Sequence, residues 1–171
     1  DPIYRDLLVV QNPASSSPGL AFLMATVVAF GEAGYLDYWA DLRSNGVRVV
    51  EDWSAAYYGE FSGGSGGGSR PLVVSYASSP PVEVLFSDPQ PSEAPTGAIV
   101  APRTCFRQVE FAAILKGSQQ VELAQAWIDF MLSPAFQEDI PLKMFVFPVN
   151  TEAQLPDLFV QHAQIASQPA Q

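Results

Sequence analysis

The stretch QNPASSSPGLAFLMATVVAF, Gln11–Phe30, decides the fold. Just before it, Leu7–Val10 is a short apolar run bounded by polar residues, the pattern of a buried strand. Three serines follow, and then Pro18-Gly19. A hydroxyl residue ahead of a proline is a helix entry, because proline at the first helical turn gives up an N–H that would be unpaired anyway. The helix then runs to about Phe30, where Gly31 stops it. Its apolar run, Leu20–Phe30, is broken only by Thr26. That is shorter than the roughly 20 residues that cross a bilayer, so it reads as a buried core helix. The serines between strand and helix have two possible uses: they cap the helix, or they form part of a binding site for an anionic or polar group.

Reading outward, the order repeats. A second helix is predicted over Tyr35–Arg43, closed by Ser44-Asn45-Gly46, and a second strand over Val47–Val50. Trp53 lies in the next connection, with Ser54 as the cap of a short helix. Ser62–Ser69 (SGGSGGGS) reads as a flexible excursion that does not pack. It lacks the G-K-[ST] ending of a phosphate loop. A third strand, Leu72–Tyr76, again runs into hydroxyls and prolines ahead of a short helix, and Ser87–Pro95 reads as a surface loop. Extended segments are expected near Ala98–Ala101 and Gln108–Ile114. Farther on, Val121, Leu123, Ala124, Trp127, Ile128, Met131 and Leu132 share one face at helical spacing. Ser133-Pro134 opens another helix, and the tail after Leu155 is weakly amphipathic and frays. Strands alternating with helices give an α/β domain whose sheet is mixed and mostly parallel, flanked by helices. No second core is evident, so residues 1–171 read as one lobe.

Composition narrows the function. With 48% hydrophobic and 15% charged residues the 171-residue chain is an ordinary globular one. Its 18 acidic residues against 8 basic ones would repel a phosphate backbone, which disfavours nucleic acid as a partner. One cysteine, Cys105, and one histidine, His162, provide neither an internal disulfide nor a Cys/His zinc cage. No basic n-region with a cleavage site opens the sequence.

Three strand-to-helix junctions share a composition: Ser15-Ser16-Ser17, Trp53-Ser54, and Tyr76-Ala77-Ser78-Ser79. In an open α/β sheet such connections leave the carboxyl ends of the strands, where ligands bind, and helix starts there offer unpaired N–H groups. Trp53 and Tyr76 add flat faces for an aromatic or cationic ring. Taken singly, each serine reads as a cap and Trp53 as a packing residue; the coincidence of three junctions is what points to a site. Catalytic arrangements are weaker. No strand-to-helix G-x-S-x-G elbow appears, and His162 lies in a polar tail with no metal partner. Cys105, between Arg103 and Arg107, lacks a histidine base and reads as a small buried thiol. Tyr57-Tyr58, adjacent on a helical segment, diverge by about 100° and do not face one ion.

Together, QNPASSSPGLAFL, EDWSAAYYGEF, PLVVSYASSPP, RQVEFAAILKGS and LSPAFQEDIPLKMFVFPVN resemble the substrate-binding proteins of bacterial thiamine ABC transporters over nearly the whole chain. The resemblance implies a type II periplasmic-binding-protein-like fold in which this chain is the second of two lobes. It implies capture of thiamine, thiamine monophosphate or thiamine diphosphate by lobe closure and delivery to a membrane permease. Neither cofactor, metal nor catalysis is implied. The location would be periplasmic or otherwise extracytoplasmic, with or without a lipid anchor. Carried over by residue, Ser16 and Ser17 would contact the phosphate or terminal oxygen, with Trp53 at the same end. Tyr76, Ala77, Ser78, Ser79 and Pro80 would form the wall and hydrogen bonds near the rings. Phe145 takes a place where the family can have tryptophan, and Val82 one where relatives can have an aromatic. Two other functions remain open: a ferric- or small-anion-binding lobe of the same fold, and a thiamine-degrading enzyme using Cys105.

Overall fold

The computed structural model describes residues 1–170. Its centre is a three-stranded, wholly parallel sheet of β1 (Leu8–Gln11), β2 (Arg48–Val50) and β3 (Leu72–Val73), in the order β2-β1-β3. Central β1 is the most enclosed segment: Val9, Val10 and Gln11 are fully buried. A strand paired on both edges and covered on both faces is predominantly apolar, as Leu8-Val9-Val10 is, with buried Gln11 at its carboxyl end. In this order the chain leaves β1 for β2 on one side and then crosses to β3 on the other. The topological switch point, where α/β sheets open a crevice at their carboxyl end, therefore lies between β1 and β3.

Helix α1 (Ser17–Ser44) joins β1 to β2 and is broken at Gly31 (φ 73°, ψ 167°), a backbone region that essentially only glycine occupies. The expected pair of helices separated at Gly31 is thus present, and the second half folds back on the first. Trp39 Nε1 donates to Thr26 Oγ1 at 3.0 Å, and the rings of Phe22 and Trp39 meet edge to face at 5.7 Å. Thirteen residues of straight helix would set Trp39 and Thr26 about 20 Å apart. Although α1 is long and apolar enough for a membrane span, this reversal shortens it to a helical hairpin. The expectation of a buried core helix is corrected: Pro18, Gly19, Ala25 and Thr26 are buried, while Leu20, Met24 and Phe30 lie 40–49% exposed.

The segment after β2 is a π-helical turn, Ala55–Glu60, and its start is capped by Asp52, whose Oδ1 accepts from the Ala55 N–H at 2.8 Å. Ser54 makes no cap bond. The following Gly/Ser run does not behave as a loose excursion. Gly67 N–H donates to the Tyr58 carbonyl and Gly68 N–H to the Phe61 carbonyl, both at 2.9 Å, while Ser65 Oγ and N–H donate to the Glu83 carboxylate at 3.0 and 3.1 Å. A Cβ on Gly66 would strike the Phe61 carbonyl, and one on Gly68 the Glu60 carbonyl. The run is glycine-rich because two stretches of backbone touch there.

Helix α2 (Ser79–Phe86) buries Pro80, Pro81 and Val84 and packs on α6 (Asp157–His162). The tail is therefore docked where fraying was expected. Phe159, 1% exposed, plugs it against Phe147 at a ring separation of 5.5 Å. Helix α3 (Val121–Leu132) forms as its spacing predicts, yet none of its residues is buried, and Leu123 and Trp127 stand 67% and 55% exposed. Short α4 (Pro134–Gln137) and α5 (Ile140–Lys143) follow. Residues 98–101 and 108–114 are irregular rather than paired strands; the nearest pairing is the parallel bridge between Phe106 and Ala170.

Candidate ligand-binding site

All three junctions emerge at the carboxyl edge of the sheet, and hydrogen bonds tie them together. Asn12 N–H donates to the Val50 carbonyl at 2.7 Å, and Ser15 Oγ donates to the Glu51 carbonyl at 2.7 Å, joining the ends of β1 and β2. On the other side, Gln11 Nε2 donates to the Val74 carbonyl at 2.8 Å, stapling the end of β1 to the end of β3 across the switch point. Trp53 then spans the sheet edge: its Nε1 donates to Ser75 Oγ at 2.9 Å, and Ser75 Oγ and Ser79 Oγ are 2.7 Å apart. Ser75 carries this contact although the sequence did not single it out. Its signal was the hydroxyl immediately before Tyr76, in register to face the neighbouring junction.

Aromatic rings surround Trp53. Tyr57 stacks on it at 4.6 Å, Tyr58 meets it edge to face at 5.4 Å, and Tyr76 stands tilted at 6.4 Å. Tyr57 is buried, 3% exposed, whereas Tyr58 and Tyr76 are 52% and 44% exposed. Burial, reinforced by the Glu83 carboxylate, pushes the Tyr57 phenol well above the ordinary tyrosine range. The expected divergence of the two adjacent tyrosines is corrected: one is buried and the other half exposed, yet their rings meet edge to face at 5.7 Å because both pack on Trp53. Partial burial and, after it, the charge of Glu110 raise the Tyr76 phenol. An acidic side chain from the irregular 107–116 segment thus lies within electrostatic reach of the ring cluster.

Ser16 is the N-cap residue of α1, with extended backbone (φ −138°, ψ 127°), but its side chain makes no cap bond. Capping therefore does not account for this serine. Ser17 is exposed. The first helical N–H shown donating here is that of Leu20, to the Ser16 carbonyl at 2.9 Å, so the N–H groups of Ser17 and Gly19 have no backbone acceptor among the described residues. The β3–α2 junction differs from the expectation of free N–H groups at each helix start. There Ser79 N–H is taken by the Tyr76 carbonyl, Pro80 and Pro81 have none, and Val82 N–H donates to the Ser78 carbonyl. Ser78 and Pro80 are buried, Ala77 and Ser79 half-buried.

Phe145 is held at the opposite end of α2, its ring 5.8 Å from Phe86, and has a left-handed backbone (φ 60°). Val82 lies half-buried within α2. Cys105 sits beside the C-terminal tail, its thiol 3.6 Å from the Ile99 carbonyl and 3.7 Å from Thr104 Oγ1, neither of which is a base. Among the described residues no group of three His, Cys, Asp or Glu side chains is arranged to hold a metal ion. The carboxyl edge forms an open platform. A deeper cleft of about 220 Å³ lies between the amino ends of the strands, lined in part by Tyr4, Leu8, Tyr38, Leu42, Val47 and Leu72.

Residues 1–163 match the family of bacterial extracellular solute-binding proteins. The chain is 34% identical over 142 residues to the thiamine-binding periplasmic protein of Escherichia coli (strain K12), covering 83% of this chain and 40% of that protein. To the thiamine-binding periplasmic protein of Salmonella typhimurium it is 32% identical over 160 residues, covering 94% of this chain and 46% of that one. A solved structure titled periplasmic thiamin binding protein superposes with a TM-score of 0.74 at 30% identity, over 96% of this chain and 48% of the other. The chain thus spans less than half the length of the curated relatives it matches. With a parallel α/β sheet and the family pattern running through residues 1–163, the chain belongs to the bacterial extracellular solute-binding proteins.

Proposed function

We propose that this chain is the ligand-capturing lobe of a two-lobed periplasmic binding protein. It takes up thiamine or a thiamine phosphate ester and hands it to the membrane permease of an ABC transporter. The observation that carries this reading is the Trp53–Ser75 hydrogen bond across the sheet edge, which brings an aromatic cluster to the switch point beside an uncapped helix start. The thiazolium ring of thiamine is a cation, attracted to the faces of exposed Tyr58 and Tyr76 and compatible with a strongly acidic chain. A phosphate end suits the hydroxyls of Ser16 and Ser17 and the N–H groups of Ser17 and Gly19. Ala77, Ser78, Ser79 and Pro80 then form a wall, since the prolines leave that helix start short of amide donors. Phe145, packed on Phe86 at the far end of α2, stands apart from these groups.

An open platform is what one half of a clamp presents, and relatives more than twice as long have room for the other half. Closure would follow from tighter ligand contacts in the closed form than in the open one. Binding requires no covalent step, and the partners of the Cys105 thiol favour a packing role for it over turnover. The ferric reading has less support, because the Tyr57 ring is buried and stacked on Trp53 while the Tyr58 ring is half exposed. Titration calorimetry of the full-length protein with thiamine, thiamine monophosphate and thiamine diphosphate is the test. Saturable binding of at least one, undiminished by alkylation of Cys105, is expected; no binding of any of the three overturns the reading.

A further inference from the structure

Trp53 lies against the rings of Tyr57, Tyr58 and Tyr76, so whatever fixes its orientation sets the shape of the platform. Its indole Nε1 is a donor without acceptor capacity, and in a half-buried ring that N–H needs a partner. Ser75 Oγ supplies it at 2.9 Å. Ser75 is itself immobilised on both sides. The preceding Val74 donates its N–H to the Val9 carbonyl at 3.1 Å and accepts from Gln11 Nε2 at 2.8 Å, and the Ser75 hydroxyl is shared with Ser79 Oγ at 2.7 Å. The indole is thereby tied to fully buried Gln11 of β1 and to the first residue of α2. Trp53, Ser75 and Ser79 bring three polar protons, and the two links consume two. One hydroxyl proton is left over whichever serine donates to the other, and only the Ser75 oxygen accepts from the indole, so its loss alone leaves that N–H without this partner.

We propose that Ser75 is the positioning residue of this site: its hydroxyl fixes the rotation of the Trp53 ring, and through it the arrangement of Tyr58 and Tyr76 that receives an aromatic cation. This rests on the proposed thiamine-class reading. Its distinguishing consequence is that Ser75 acts on affinity only while residue 53 has an indole N–H. In the full-length protein, Ser75→Ala should weaken thiamine binding about three- to tenfold, the range expected for one hydrogen bond. It should also shift the Trp53 Nε1–H resonance and speed its exchange with solvent; Ser75→Thr should restore all three. In a Trp53→Phe background, Ser75→Ala should cost nothing more, since the double-mutant cycle then lacks the shared bond. An equal loss in both backgrounds would overturn the proposal, as would wild-type indole exchange in Ser75→Ala. Failure of wild type to bind thiamine would instead remove the ligand reading, and the indole resonance alone would then decide the role of Ser75.

Discussion

Trp53 meets three tyrosine rings and donates one hydrogen bond, a concentration of contacts typical of side chains that dominate a binding energy. Trp53→Ala in the full-length protein should therefore weaken thiamine binding by about 1–3 kcal/mol, read by calorimetry. Tyr57, stacked beneath it, makes a prediction about pH. Its phenol holds its proton more tightly in the folded state than in the unfolded one, so above the unfolded pKa of about 10 the unfolded chain has released a proton that the native chain retains. Stability contributed by this group is complete below pH 10 and falls as pH rises beyond it. Urea unfolding should accordingly show a steeper alkaline loss for wild type than for Tyr57→Phe; parallel curves would contradict the shift. At this scale Trp53, Tyr76 and the serines were legible as residue types, because flat rings and hydroxyls at strand ends have few uses. Ser75 was not, since its role depends on which indole faces it.

Among the elements, the glycine-rich run departs most from its composition. SGGSGGGS has the make-up of a linker, yet it is bonded to the π-helical turn and to Glu83 of α2. Gly66→Ala and Gly68→Ala should each destabilise the protein by about 1–3 kcal/mol in urea titration, because a Cβ would displace backbone rather than a flexible side chain. Gly59→Ala, with open space around it, should stay within about 0.5 kcal/mol. Linker-like behaviour, with all three substitutions silent, would return the run to an unpacked loop. Helix α3 shows the opposite departure. Its apolar spacing gave the helix correctly, but periodicity reports only that a face is apolar, and here Leu123, Trp127 and Phe130 remain about half exposed or more.

For the whole molecule, the clamp reading divides the ligand contacts between two lobes. Residues 1–171 alone should bind thiamine far more weakly than the full-length protein, or below detection, and calorimetry on both distinguishes this from a self-sufficient site. Equal affinity would remove the two-lobe argument. The sequence by itself determined the alternation of strands and helices, the break at Gly31 and the three hydroxyl-rich junctions, because hydrophobic period, proline and glycine act over a few residues. Tertiary structure alone decided the strand order β2-β1-β3, and with it the switch point, the Gln11 staple and the meeting of Trp53 with Ser75. Those outcomes depend on partners 22 to 64 residues apart, and a local pattern holds no record of which distant hydrogen bond the folded chain will satisfy.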